Sequence, residues 1–429
     1  MNDNEIKKAK EYNVKIYPFY KMFSWDLLFY YSIIYLFLNQ VKGLSTSDIL
    51  FADSFFPLFK VIFQIPAVSV VEKIGKRNSI LLGNIFLTLG ISILLIFSGI
   101  PCAIFSNIIL AAGFTLKVLC ETTILDECIT NFEKKRSIFS SKDGKGNALW
   151  YFFDAISAIT TGFLFVINPY VPVIICLSLC LISCYLSYKF KPYEIITKNK
   201  TSDLKEFKDQ LKQIRFSFKY IFKSDRLRSI ILFAAIFTGL LGIRSTLTNS
   251  LLTDLGVPEQ YFGIIAAILS LCASIGSKNQ NKFHNRFRNK TLTAFSLPYC
   301  LSLIISGFVI VGKLNITLGI IIIFTMFIIQ NLIKAPYYTL IYRYLNSFSS
   351  PEISTKIYSA NALVEGIFRF LITMFASFLL DHTTTSYALI IIGCLFMAIL
   401  VVLLDYMRNR VGLKPEEYKK SDIEFTFVK

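Results

Sequence analysis

Charged residues are scarce in this sequence. Asp, Glu, Lys and Arg together make up 17% of its 429 residues, whereas a soluble globular protein carries about 25%. Hydrophobic residues account for 54% of the chain, and the mean hydropathy is +0.57. The low charge content excludes an ordinary soluble domain and favours a chain that folds within a lipid bilayer.

The sequence also lacks the motifs of an enzyme. The P-loop pattern G-x-x-x-x-G-K-S/T is missing, so we do not expect this chain to hydrolyse ATP. No group of residues combines the features of a nucleophile, a metal site or an acid–base pair. We therefore expect no enzymatic activity, no cofactor and no bound metal.

Most of the nine cysteines lie inside apolar runs, which argues against a disulfide framework. Cys176, Cys180 and Cys184 share one helical face through their four-residue spacing. Packing residues are one interpretation of this stripe, and a site for a soft metal is the other.

Long apolar runs separated by short polar loops fill most of the chain. Each run is long enough for a membrane-spanning helix, which needs about 20 mostly apolar residues. The twelve runs are 24–40, 49–71, 79–98, 103–125, 148–167, 170–188, 229–248, 259–276, 291–311, 316–342, 357–380 and 386–406. They predict an all-α polytopic membrane protein with twelve transmembrane helices. No cleavable signal is expected, because residues 1–23 are polar and basic.

Basic residues are concentrated in every second loop. This asymmetry is the positive-inside signal, and it predicts that both termini are cytoplasmic. The net charge of +17 then reflects topology and attraction to anionic lipid. Nucleic-acid binding is not expected, because the cations are divided among loops. We expect an integral protein of a bacterial cytoplasmic membrane that acts as a monomer within the bilayer.

The apolar runs fall into two equal sets. Residues 1–188 predict an N-terminal six-helix bundle, and residues 229–406 predict a C-terminal one. Between them lies a basic cytoplasmic linker, residues 189–228, and residues 407–429 form a cytoplasmic tail. Six spans, a linker and six more spans are typical of a duplicated transporter.

The turn after the second span carries a recognisable motif. Residues 68–77 resemble the signature G-x-L-a-D-r-x-G-r-r of the major facilitator superfamily. Gly75, Lys76 and Arg77 match it, whereas Glu72 replaces the usual Asp and Val68 replaces the first Gly. After span four, Glu127 and its acidic neighbour Asp126 are followed by Arg136, which is similar to the acid-then-basic pattern of that loop.

The resemblance covers the whole chain by topology. It implies two six-helix bundles around a central cavity, with spans one, four, seven and ten lining the cavity and spans two, five, eight and eleven between the halves. The family's drug-antiporter signature in span five, G-x-x-x-G-P-x-x-G-G, is absent from residues 154–170. One interpretation of the basic turn is a gating charge lock, and the other is that its cations only set orientation. The lock would comprise Glu72, Gly75, Lys76, Arg77, Glu127 and Arg136.

Ionisable residues inside the spans are the strongest functional signal. Each costs about 2.5 to 3.5 kcal/mol on insertion scales and is retained where it faces a cavity or a partner. The set is Asp26, Lys60, Lys117, Glu121, Asp154, Arg244, Lys334, Glu365 and Arg369. Lys117 and Glu121 are four residues apart and share a helical face. Asn361, Glu365 and Arg369 form a similar polar stripe in span eleven, between the halves if the resemblance holds.

We predict roles for these residues. Glu121 and Asp154 are candidates for binding and releasing a proton, with Lys117 as the switching partner. Arg244 is a candidate for binding an anionic or carbonyl group of the solute. The resemblance implies that the cavity also includes Asp26 and Lys334, and the aromatic residue Tyr30 is a further candidate for it. The alternatives are a static Lys117–Glu121 pair, a structural Glu365–Arg369 pair, and snorkelling of Asp26 and Lys334.

Together these features predict a secondary active transporter that moves a small solute by alternating access and draws energy from a proton gradient. Proton-driven antiport, with efflux of a drug or amphipathic compound, is one form of this hypothesis. Symport for uptake of a polar or anionic metabolite is another. A transporter-like sensor or lipid mover without coupled transport is a third.

Overall fold

A computed structural model describes residues 3–131, 133–193, 212, 215, 218, 219, 221, 222, 224–312, 316–348, 351–408, 410 and 411. Most of the predicted linker and of the predicted tail lies outside these described residues. Every regular element in the described part of the chain is helical, and no described residue lies in a strand.

In the described part of the chain, seven helices precede the linker. They are α1 (Asp3–Ser24), α2 (Ile34–Leu36), α3 (Thr46–Ile74), α4 (Lys76–Ile96), α5 (Ile100–Cys128), α6 (Lys135–Ile167) and α7 (Tyr170–Lys189), and a π-helical turn, Phe37–Val41, extends α2. Seven follow it: α8 (Asp225–Asp254), α9 (Gln260–Lys278), the short α10 (Gln280–Phe287), α11 (Thr291–Val311), α12 (Ile316–Phe348), α13 (Pro351–His382) and α14 (Thr385–Arg408).

Eleven of the described helices are long and apolar enough to cross a membrane. The remaining predicted span, the first one at residues 24–40, is not a continuous helix, so the prediction was wrong in that detail. Helix α1 ends at Ser24, and α2 begins only at Ile34. Asp26 Oδ1 accepts the backbone N–H of Leu27 at 2.9 Å, a local bond that competes with helix formation. Phe29 has a left-handed backbone, with φ 60°. With this interrupted segment counted, the twelve-span all-α fold is confirmed.

The described chain divides into two compact units. The first consists of Met1–Ser45, Phe55–Lys208 and Pro258–Ala267, and the second of Thr46–Ser54, Asp209–Val257 and Ile268–Lys429. Helices α3 and α9 therefore contribute to both units.

The same pairs of spans pack together in each unit. In the first unit α4 packs against α5 and α7, and α1 packs against α6. In the second unit α11 packs against α12 and α14, and α8 packs against α13. These pairs occupy equivalent places in the two sets of six spans, which is the pattern that a duplicated bundle produces.

Close approach of α4 and α5 depends on two glycines. A Cβ on Gly83 would lie 2.9 Å from the carbonyl oxygen of Gly113, and a Cβ on Gly113 would lie 2.7 Å from that of Gly83. Apolar lipid provides little hydrophobic force between helices, so membrane bundles depend on such small-residue contacts. This packing places α5, which carries Lys117 and Glu121, directly against α4.

The end of α1 is fixed in the first unit by aromatic packing. Tyr17 and Tyr20 are fully buried in a cluster with Ile80, Cys120 and Phe190. The ring of Tyr20 meets that of Phe190 edge to face, with centroids 5.2 Å apart. The last turn of α1 is thereby held beside α5.

Candidate functional site

The first unit contains a buried polar cluster around Lys117. Only 1% of the Lys117 side chain is exposed, and its Nζ lies 3.7 Å from Glu121 Oε1. The ammonium also donates to the carbonyl oxygen of Ser24. That carbonyl belongs to the last turn of α1, where helical carbonyls lack backbone donors. The interruption of the first span therefore provides Lys117 with an acceptor.

Glu121 is held by hydroxyl groups from α1. Its Oε1 accepts the Tyr20 hydroxyl at 2.8 Å and lies 3.1 Å from Ser24 Oγ. Asn84 of α4 extends the network, because its amide lies 3.3 Å from the Tyr20 hydroxyl and 2.6 Å from Ser187 Oγ. The cluster thus joins four helices through one carboxylate and one ammonium.

Asp26 lies in the interrupted segment, close to this cluster. Its Oδ1 accepts the hydroxyl of Tyr31 at 2.7 Å. Lys117 and Lys60 are the cations within electrostatic range of Asp26, and Asp154 of α6 is also within range. Electrostatic interactions therefore link Asp154 to Asp26, Asp26 to Lys117, and Lys117 to Glu121, and all four residues were predicted from the sequence. Tyr30 is buried, with its ring 5.3 Å from that of Tyr31.

Aromatic rings and a second ion pair lie beside the interrupted segment. The rings of Trp25 and Trp150 are 6.1 Å apart, and Lys21 Nζ lies 3.9 Å from the centroid of the Trp25 ring. Lys21 also pairs with Asp143 of α6. These contacts connect α1 to α6 immediately before the interruption.

In the second unit, Arg244 borders a pocket. The pocket is small and is lined by Arg244, by the polar residues Thr248, Ser306 and Gln330, and by leucines and Phe327. The Nε atom of Arg244 is buried and has no hydrogen-bond partner among the described residues. In water this N–H would be solvated, so its burial without an acceptor is costly.

Two more cations of the same unit, Lys334 and Arg369, belong to this electrostatic group. Lys334 of α12 interacts with Arg244 and Arg369. Arg369 of α13 lies against α8, since a Cβ on Gly242 would be 2.6 Å from Arg369 Nε. Lys334 and Arg369 therefore join Arg244, each from the middle turns of a different helix.

The predicted stripe of α13 is formed in part. Asn361 Nδ2 donates to Glu365 Oε1 at 3.0 Å, while the Asn361 Oδ1 atom is buried without a partner. Glu365 and Arg369 lie one turn apart and interact electrostatically, but they do not form an ion pair within 4.0 Å in the described structure.

The predicted charge lock is also formed in part. Gly75, with φ 79°, makes the tight turn between α3 and α4, a conformation that favours glycine. Lys76 pairs with Glu127 at 2.6 Å. Arg77 donates to the carbonyls of Tyr188, at 2.9 Å, and Phe190, and so caps the end of α7.

The two remaining residues of the predicted lock are Glu72 and Arg136. Among the described residues, Glu72 and Arg136 enter no ion pair. The cation that follows span four and reaches an acid is Lys135, which pairs with Asp126 at 2.8 Å. The charge network of this turn is therefore smaller than the six predicted residues.

Several residues of these clusters were not predicted. Tyr20, Ser24, Asn84 and Asp143 contribute to the first unit, and Gln330 to the pocket of the second. Asp53 of α3 lies 3.5 Å from Thr246 Oγ1 in the second unit. It is an acid inside the predicted span 49–71, so the criterion of buried charge would have found it. The described part of the chain contains no cluster of three or more His, Cys, Asp and Glu residues that could hold a metal.

The family model of the Major Facilitator Superfamily matches residues 19–333. No curated protein sequence matches the chain at a significant level. Among solved structures, the chain is similar to the nucleoside transporter NupG, with a TM-score of 0.69, 12% identity, and coverage of 94% of this chain and 99% of that one. It is similar to a peptide transporter POT in complex with alafosfalin, with a TM-score of 0.65, 13% identity, and coverage of 95% and 94%. The chain belongs to the major facilitator superfamily of membrane transporters.

Proposed function

We propose that this protein is a proton-coupled secondary transporter, which moves a small solute across the cytoplasmic membrane by alternating access. The family supports secondary transport. The coupling is supported by one observation, the contact of the buried Lys117 ammonium with both Glu121 and the free carbonyl of Ser24.

Burial of the Lys117 ammonium is the physical basis of the proposed coupling. An ammonium out of water is stable only with acceptors and a counter-charge. When Glu121 binds a proton, Lys117 loses its ion-pair partner, and Asp26 is the next acid within its electrostatic range. Protonation of Glu121 therefore favours an arrangement in which Lys117 interacts with a different partner. A change of partner that depends on a proton is what a coupled carrier requires.

The test uses purified protein in proteoliposomes with an imposed inward proton gradient. Solutes are screened as panels of carboxylates, nucleosides and dipeptides, the last two because the structural neighbours are nucleoside and peptide transporters. The wild-type protein should accumulate at least one of these solutes when the gradient is present. Glu121→Gln should lower gradient-driven accumulation at least tenfold, while solute exchange at equal pH continues.

The matched control is Asp126→Asn, because Asp126 forms an exposed pair with Lys135 outside the buried cluster. It should leave gradient-driven accumulation unchanged. If Glu121→Gln accumulates solute as the wild type does, Glu121 is not the coupling residue. If the wild type accumulates none of the three panels, the transport proposal fails for these solute classes.

A second candidate is proton-driven export of an amphipathic aromatic compound. The observation that favours it is the pair of indole rings of Trp25 and Trp150 beside the interrupted segment, because aromatic faces bind flat apolar solutes. The direction of the proton-coupled flux separates the candidates. Export predicts that solute leaves as protons enter, whereas symport predicts that both enter together.

A further inference from the structure

Three cations of the second unit come from helices that pack against one another. Arg244, Lys334 and Arg369 come from α8, α12 and α13, and Lys334 is within electrostatic range of both arginines. None of them forms an ion pair with a carboxylate among the described residues. Like charges at close range in a low-dielectric interior repel strongly. Such a group is stable in the folded protein when an anion joins it.

The nearby acids do not provide that anion. Glu365 is bonded to the Asn361 amide instead of to Arg369, and the carboxylate of Asp53 lies by Thr246, two residues along α8 from Arg244. Residues two apart on a helix point to different faces.

The small pocket beside Arg244 provides polar groups that could bind an oxyanion. The unpaired Nε of Arg244 is buried at its border. Gln330, Ser306 and Thr248 supply further hydrogen-bonding groups, and leucines and Phe327 supply apolar walls. A guanidinium presents a planar set of donors that matches the two oxygens of a carboxylate or of a phosphate.

We propose that Arg244, Lys334 and Arg369 form an oxyanion-binding subsite in the second unit, which takes a carboxylate or phosphate group of the transported solute. The inference rests on the proposed function, because it assigns the substrate class of that transporter. An amphipathic cation does not fit this subsite, since three like charges oppose it.

The test measures the melting temperature of the purified full-length protein at constant ionic strength, because a ligand that binds the folded state stabilises it by mass action. The probes are benzoate, its neutral isostere benzamide, and inorganic phosphate. Benzoate or phosphate should raise the melting temperature by several degrees in a saturable way, and benzamide should not. A shift with only one of the two anions identifies which oxyanion the subsite takes.

Variants connect that shift to the cation cluster. Arg244→Gln and Lys334→Gln should each weaken the apparent affinity for the anion at least tenfold, and Arg244→Lys should weaken it less. The control is Lys282→Gln, an exposed cation of the same unit, which should retain the full shift. Size-exclusion profiles and melting in the absence of anion show whether each variant is folded, and two independent positions keep the test valid if one is not.

Three results would overturn the subsite: equal shifts with benzamide and benzoate, a full anion shift in both the Arg244→Gln and Lys334→Gln variants, or equal loss of the shift in Lys282→Gln. Failure of the proposed function looks different. An anion that binds through Arg244 but never crosses the proteoliposome membrane overturns transport and retains the subsite. Proton-driven transport restricted to neutral solutes retains transport and overturns the subsite.

Discussion

The buried cations of the two units have opposite electrostatic surroundings. In the first unit, Lys117 has an internal carboxylate, Glu121, and an internal carbonyl acceptor. In the second unit, Arg244 has a buried Nε without a partner, and its nearby charged groups include another cation. The same fold therefore contains one charge cluster that is internally compensated and another that is not.

This difference separates two kinds of function. In a compensated pair the cation favours the ionised carboxylate, and the carboxylate can bind a proton when the cation moves to another partner. This behaviour suits proton coupling. An uncompensated cluster is stabilised by a counter-ion from outside, which suits ligand binding. The comparison thus supports proton exchange in the first unit and anion binding in the second. It also predicts that removing a charge has opposite effects on stability in the two units.

The largest effect on stability is expected from Glu121→Leu. This change leaves the Lys117 ammonium buried without its counter-charge, and breaking a buried pair in this way costs about 3 to 5 kcal/mol. The melting temperature should fall by several degrees. The double variant Glu121→Leu with Lys117→Met should recover most of the loss, because it removes the stranded charge. If the double variant does not recover stability, the Lys117–Glu121 ion pair does not account for the loss in Glu121→Leu.

A smaller effect of the opposite sign is expected from Lys334→Met in the second unit. Methionine fills a similar volume, and it removes one of three cations that repel one another. In the absence of anion the protein should gain about 1 to 2 kcal/mol of stability, since an intramembrane lysine without an acidic partner is costly. The measurement is the melting temperature at low salt. A clear decrease would show that Lys334 has a stabilising partner in the protein, and the contrast between the units would then fail.

The smallest effect is expected from Lys76→Gln, outside the buried clusters. The Lys76–Glu127 pair is partly exposed, with 26% of the lysine and 41% of the glutamate side chain accessible. Exposed pairs contribute about 0 to 1 kcal/mol and are screened by salt. The difference in melting temperature from wild type should be slight at low salt and vanish in high salt. A loss as large as that of Glu121→Leu would place this pair among the main stabilising contacts of the first unit.

Much of the fold could be predicted from the sequence, because span length and hydrophobicity are local properties. Eleven of the twelve apolar runs are continuous spanning helices in the described structure, and Gly75 marked a tight turn. The break after Ser24 could not be predicted in this way. It depends on Asp26, which bonds to the Leu27 backbone, and on the distant Lys117, which provides a donor for the Ser24 carbonyl.

Only the charged residues of the candidate site could be predicted from the sequence. Charge inside a span is rare and costly, so Lys117 and Arg244 stand out in the sequence. Tyr20, Ser24 and Asn84 carry no such signal, because neutral polar residues are common in helices and meet only after the helices pack. The sequence also could not predict that Arg244 forms no ion pair. Glu365 and Asp53 are present in the chain, but Glu365 is hydrogen-bonded to Asn361 and Asp53 to Thr246.

The most direct test of this account is proton uptake driven by an anion. Proteoliposomes are loaded with a pH-sensitive dye and receive an anion from the outside, using whichever of benzoate or phosphate raises the melting temperature. We predict internal acidification in the wild type beyond that of protein-free liposomes given the same anion, because a proton that enters with the anion offsets its charge. Acidification should be absent in Glu121→Gln, which still exchanges the anion, and in Arg244→Gln, which does not. Acidification by benzamide, or undiminished acidification in both variants, would contradict the assignment of proton and anion to separate units.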